Sequence, residues 1–95
     1  MAYIVRIPKL GVTVEEASIL KWFVDEADAV EANEVILEIE NEKTTAEVEA
    51  REDGVLRRKY KHEGDTGTPG TPIGIVAGLG ENISEFEEEV AAYDE

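Results

Sequence analysis

The chain of 95 residues has no cysteine, one histidine, one methionine and one tryptophan. Without thiols it can form no disulfide staple, no thiolate metal site and no cysteine nucleophile, so any redox chemistry must ride on an attached group. Basic residues are also scarce. Nine Lys and Arg stand against 23 Asp and Glu, a net charge of −14. Such a surface repels polyanions, which excludes nucleic acid and anionic membrane as partners. No apolar run approaches membrane-spanning length, and the composition, 42% hydrophobic, is that of a soluble globular protein. The N-terminus has neither a signal-peptide apolar core nor an Arg-rich transit segment, which predicts the cytoplasm. Before Gly80 there is no sustained helical period.

What is present is a series of short β-forming runs separated by turn signals. Tyr3–Ile7, Ser18–Val24, Val35–Glu40, Thr45–Ala50, Val55–Lys61 and Ile73–Ala77 are the predicted strands, with Val30 as a short bridge. Pro8 ends the first run, since it cannot donate to a ladder. Pro8 to Glu16 is a loop, and Gly64 to Pro72 a Gly/Pro/Thr stretch. The body is therefore all-β and forms one domain with a modest core.

An internal repeat divides that body. Glu26 to Ile36 matches Glu63 to Ile73, thirty-seven residues later: an acid, a small residue, Asp, a turn residue five positions on, then an apolar strand. Upstream, Ile19-Leu20-Lys21 is matched to Val55-Leu56-Arg57 at a spacing one shorter. Two small sheets facing each other across a pseudo-two-fold axis are the simplest packing.

From Glu81 to Glu95 the period changes and seven acids occur without a base, half of the net charge. Ile83, Phe86, Val90 and Tyr93 fall on one helical face. Asn82 with Glu85 resembles a capping box. Residues 1–80 are thus expected to form the domain, and residues 81–95 an acidic tail that is either an amphipathic helix or a linker.

Asn41-Glu42-Lys43-Thr44 lies between two predicted strands, where short polar residues suit a tight hairpin. A lysine there has a fixed backbone and an amine in water. That suits covalent attachment of a prosthetic group; it equally suits an ordinary solvated lysine.

Other residues point to structure. Trp22 is expected in the core. His62, beside Lys61, Glu63 and Asp65, lacks a partner nucleophile and is expected at the surface. Glu38, Glu40, Glu47 and Glu49 alternate with apolar residues, as on a solvated sheet face rather than in a hard-metal site. Arg57, Arg58, Lys59 and Lys61 are expected to balance internal charge. The glycines from Gly64 to Gly80 lack the Lys-Ser/Thr and helix of a phosphate loop.

The run Glu38-Ile39-Glu40-Asn41-Glu42-Lys43-Thr44-Thr45-Ala46-Glu47-Val48 resembles the modification site of lipoyl domains, the swinging-arm carriers of 2-oxo acid dehydrogenase complexes. Pro8-Lys9-Leu10-Gly11, Glu15-Glu16-Ala17, Leu20-Lys21-Trp22, the paired Asp28 and Asp65 turns and the Gly64–Gly74 stretch fit the same family, over residues 3 to 79.

The resemblance implies a flattened barrel or sandwich of two four-stranded sheets, with Lys43 at a hairpin tip amide-linked to lipoic acid. It implies a cofactor carrier, not a catalyst. The group would be reductively acylated by a thiamine-diphosphate-dependent 2-oxo acid decarboxylase, would deliver the acyl group at an acyltransferase core, and would be reoxidised by dihydrolipoamide dehydrogenase. A lipoate ligase or transferase would attach it, with Glu42 and Thr44 presenting the lysine and the Pro8–Glu16 loop aiding recognition. Tethering keeps the acyl group at high effective concentration.

The chain departs from the family pattern at three places. Glu42 and Thr44 replace the usual Asp and Ala, and Ala27 replaces a usual glycine, at a cost of about 1 kcal/mol if its φ is positive. The pattern also stops near residue 80. A biotinyl carrier shares the fold but flanks its lysine with methionines, and a glycine-cleavage carrier is longer and has extra helices. An unmodified adaptor, binding a partner through Ile83, Phe86, Val90 and Tyr93, is the reading from a different class.

Overall fold

The computed structural model describes residues 1–11 and 15–93. Strands β1 (Tyr3–Arg6), β2 (Ala17–Trp22), β3 (Ala29–Val30), β4 (Val35–Glu40), β5 (Thr45–Glu49), β6 (Gly54–Lys59), β7 (Thr66–Gly67) and β8 (Pro72–Ala77) precede one helix, α1 (Ser84–Ala92). They form two four-stranded antiparallel sheets, ordered β1-β8-β6-β3 and β5-β4-β2-β7. The expected all-β sandwich of two four-stranded sheets is therefore the observed fold. β7 lies within the Gly64–Pro72 stretch, where the sequence predicts no strand. Two residues are too short to show a period, and their pairing, Ala17 with Gly67 and Ser18 with Thr66, is entirely non-local.

Alternation along the strands buries Tyr3, Val5, Ile19, Leu37, Ile39 and Leu56 between the sheets. Each such fully buried aliphatic or aromatic side chain contributes about 1.5–3 kcal/mol relative to exposure. Trp22 joins this core as expected, only 6% exposed, with its indole N–H donating to the Lys61 carbonyl at 2.8 Å.

The halves are related bond by bond at an offset of thirty-seven residues. Ala27 N–H donates to Leu56 O at 2.8 Å, and Gly64 N–H to Ile19 O at 2.9 Å. Lys59 N–H donates to the Glu26 carboxylate at 2.7 Å, and Trp22 N–H to that of Glu63 at 3.0 Å. Asp28 and Asp65 each accept the N–H three residues back, Asp25 and His62, both at 2.8 Å. These bonds correct the upstream match. Ile19 corresponds to Leu56, not to Val55, and no spacing slips. Both are buried and both precede a bulge, whereas Leu20 is 40% exposed.

The symmetry fails on the outer faces, and there the tail finds its place. On one sheet the outward row Arg58, Ile75, Ile4 is matched on the other by Lys21, Glu38, Glu47. The apolar version is covered by α1: Ile75, Ala77 and Ile83 are buried together, with Ala2, Ile4, Tyr60, Phe86 and Val90 packed against them. β8 is buried along its whole length because the core covers one face and the helix the other. Arg58 pairs with Glu87 at 2.9 Å and Arg6 with Glu89 at 2.5 Å. The Arg57 guanidinium donates to the carbonyls of Gly78 and Glu81 at 2.6 and 2.8 Å, tying down the chain that leads into the helix. Burial beside Glu87 pushes the Tyr60 phenol above its ordinary pKa.

Two expectations for the tail change accordingly. The helical face of Ile83, Phe86 and Val90 packs on its own sheet, so it is not the partner-binding surface of an adaptor; Tyr93 remains 36% exposed. Asn82 forms no capping box with Glu85. Its side-chain oxygen accepts the N–H and hydroxyl of Ser84 at 2.9 and 2.7 Å, and Ile83 occupies the capping position.

Candidate functional site

The hairpin between β4 and β5 is closed at its last rungs by Ile39 opposite Ala46 and Glu40 opposite Thr45. Four residues then reverse the chain. Asn41 N–H donates to Thr44 O at 2.9 Å. The Asn41 side-chain oxygen accepts two further amides, Lys43 N–H at 2.8 Å and Thr44 N–H at 3.0 Å. An Asn or Asp that bonds its own backbone two and three residues on makes such a turn without demanding glycine. The Thr44 hydroxyl donates to Thr45 O at 3.2 Å. Glu42 is exposed and, with Glu15, Glu16 and Asn41, lines a shallow acidic depression beside the turn.

Lys43 thus has a tied backbone and a side chain that is 67% exposed. Its Nζ lies 3.8 Å from a carboxylate oxygen of Glu15, at the end of the loop that precedes β2. That loop was expected to act in recognition; its residues 12–14 lie outside the described residues. With its side chain 67% exposed, Lys43 has room for a long group on Nζ, and the hairpin roots that group on two paired strands. Acylation would turn the amine into a neutral amide without stranding a buried partner.

The two-fold offers an internal control. The turn equivalent to Asn41–Thr44 is Gly78–Glu81, closed by a bond of the opposite direction, Glu81 N–H on Gly78 O at 3.1 Å. There a glycine, Gly80, stands at the lysine's position. The Glu81 carboxylate accepts Gly78 N–H at 2.9 Å, a bond that holds its carboxyl below the usual range. Both matching turns face solvent; one carries a lysine, and the other leads the chain into α1.

The remaining candidates fall where structure needs them. His62 is exposed at a turn, its N–H donating to Asp65. Glu38 and Glu47 face each other across β4 and β5, and Lys21 stands opposite Glu38 on the other side. Lys59 pairs with Asp25 at 3.1 Å and lies 5.0 Å from the Trp22 ring centroid, so with Arg57 and Arg58 it serves internal bonding. Sequence reasoning missed two contributors at the lysine turn. Asn41 had a usable signal, being a side-chain acceptor two residues before the lysine. Glu15 had none, since its approach comes from a distant part of the chain.

Fold and site together define a domain that displays a single lysine on a rigid hairpin. The family model described as "Biotin-requiring enzyme", the biotin/lipoyl family, matches residues 4–76. The chain belongs to that family. It is 41% identical over 81 residues to the mitochondrial pyruvate dehydrogenase complex protein X component of Chaetomium thermophilum, covering 84% of this chain and 18% of that protein. It is 38% identical over 82 residues to the dihydrolipoyllysine-residue succinyltransferase component of the 2-oxoglutarate dehydrogenase complex of Staphylococcus saprophyticus, covering 85% and 19% respectively. With the dihydrolipoyllysine-residue acetyltransferase component of the pyruvate dehydrogenase complex of Rhizobium meliloti it shares 36% over 81 residues, 84% of this chain and 18% of that one. The chain thus spans under a fifth of the length of these relatives.

Proposed function

We propose that this chain is a lipoyl carrier domain, a substrate of enzymes and not itself a catalyst, with lipoic acid amide-linked to Nζ of Lys43. The observation that carries the reading is the turn itself: a lysine exposed at the tip of a paired hairpin whose amides are tied by Asn41. Glu42 and Thr44 flank and present it. The relatives' names, which speak of dihydrolipoyllysine residues and 2-oxo acid dehydrogenase complexes, support lipoyl over biotinyl. So does the absence of methionine at residues 42 and 44.

The attached dithiolane would supply what this cysteine-free chain lacks, a pair of sulfurs that accepts electrons and an acyl group. The chain's own part is to root that arm and present it. The partners we assign are a thiamine-diphosphate-dependent 2-oxo acid decarboxylase, an acyltransferase core, dihydrolipoamide dehydrogenase and a lipoate-attaching enzyme. Attachment from an activated lipoyl acyl phosphate would form the amide C–N bond at Nζ of Lys43 as the C–O bond to phosphate breaks, with the amine proton passing to solvent. Residues 1–80 form the carrier body, and the segment from Glu81 supplies the helix that closes its outer face.

Intact mass with peptide mapping, on protein from its native host, tests this. A lipoyl group on Lys43 is the expected result. A biotinyl group there would keep the carrier role and move the chain to the carboxylases. Unmodified Lys43 in cells that lipoylate other proteins would overturn the reading.

A further inference from the structure

We infer that Asn41 is the positioning residue for modification of Lys43, an inference that rests on the lipoyl carrier reading. Three bonds converge on it. Its side-chain oxygen holds the amides of Lys43 and Thr44, and its own N–H reaches back to Thr44 O. The two amides tied by the side chain are those of the reactive residue and its follower, so the side chain adds to the backbone closure in setting the Cα–Cβ direction of Lys43. Neither Glu42 nor Thr44 could replace that function. Glu42 precedes the lysine and is exposed, and the Thr44 hydroxyl points its bond away, to Thr45 O.

The matching turn shows what such a lock requires. At Gly78–Glu81 the first residue is a glycine with no side chain, and closure passes to the Glu81 carboxylate, which ties Gly78 itself. The middle of that turn, Leu79 and Gly80, is left exposed. At the lysine turn the lock comes from the first residue and acts forward, onto the position that must be presented. A modifying enzyme then receives a preformed turn and need not order it during binding. Because Asn41 acts on the backbone amides of Lys43 and Thr44 and not on the reacting amine, its removal should raise KM in the attachment reaction and leave kcat nearly unchanged.

The test compares the whole chain with N41A and N41D, using an ATP-dependent lipoate-attaching enzyme with lipoate and ATP. Circular dichroism and urea midpoints confirm folding, and hydrogen exchange is read at the Lys43 and Thr44 amides. For N41A, kcat/KM should fall about tenfold, the scale of the bonds removed, mainly through KM, with faster exchange at both amides. N41D keeps the acceptor oxygen and should restore both readouts. An unchanged kcat/KM in N41A, with the parent chain modified normally, would overturn the role of Asn41 and spare the carrier reading. So would N41D remaining as slow as N41A. A parent chain left unmodified at Lys43 would overturn both.

Discussion

Ala27 and Gly64 occupy equivalent points of the two halves and share a left-handed backbone, with φ of 79° and 91°. Each donates its N–H to the corresponding strand of the opposite half, Leu56 and Ile19. The two-fold therefore imposes the conformation, and at one of the two points the residue that tolerates it is missing. A second pair repeats the pattern, Asn33 at φ 73° and Gly70 at φ 97°. There asparagine, which accepts the left-handed region more readily, stands in for glycine.

Replacing Ala27 with glycine should stabilise the fold. The strain of a left-handed alanine is about 1–2 kcal/mol, and the extra freedom glycine has when unfolded returns part of it. A net gain of ~0.5–1 kcal/mol is expected in urea unfolding. A loss of stability would show that the site is not strained.

Lys43→Arg should keep the fold and lose the function. Its side chain is 67% exposed, so stability should change by less than about 0.5 kcal/mol. Incorporation of lipoate, followed by mass spectrometry, should fall to background. Residual modification of the variant would place the attachment elsewhere.

Truncating the chain before α1 should damage the domain, not merely remove a tail. Ile83 is 4% exposed and belongs to the apolar cluster outside the first sheet. Ile83→Ala should cost ~2–4 kcal/mol, and deletion from Glu81 onward should expose Ile4, Ile75 and Ala77. Dye binding to the shortened chain, with a lower thermal midpoint, is the expected readout.

Acid should weaken the fold through Glu63 and Glu81. The Trp22 amide donates to Glu63 and the Gly78 amide to Glu81, and each bond holds its carboxyl below the ordinary value of 4.5. A carboxyl depressed in the folded state contributes stability above its unfolded pKa, and that contribution is lost as pH falls through the folded value. Urea midpoints should therefore decline below the ordinary carboxylate range. E63Q, which keeps an acceptor oxygen but cannot titrate, should decline less steeply than the parent chain.

Strand positions were legible in the sequence because each is short, β-branched and bounded by local turn chemistry. The lysine turn was legible for the same reason. Sequence alone therefore determined the all-β class, the two-fold repeat and Lys43 at a hairpin tip. Only the tertiary structure decided which outer face needs a cover. The apolar row Ile4–Ile75 assembles from both ends of the chain, and no local window contains it. The same reason hid β7, the pairing of Ile19 with Leu56 across the two-fold, and the approach of Glu15 to Lys43. Each depends on residues far apart in sequence meeting at a register that only the closed pair of sheets defines.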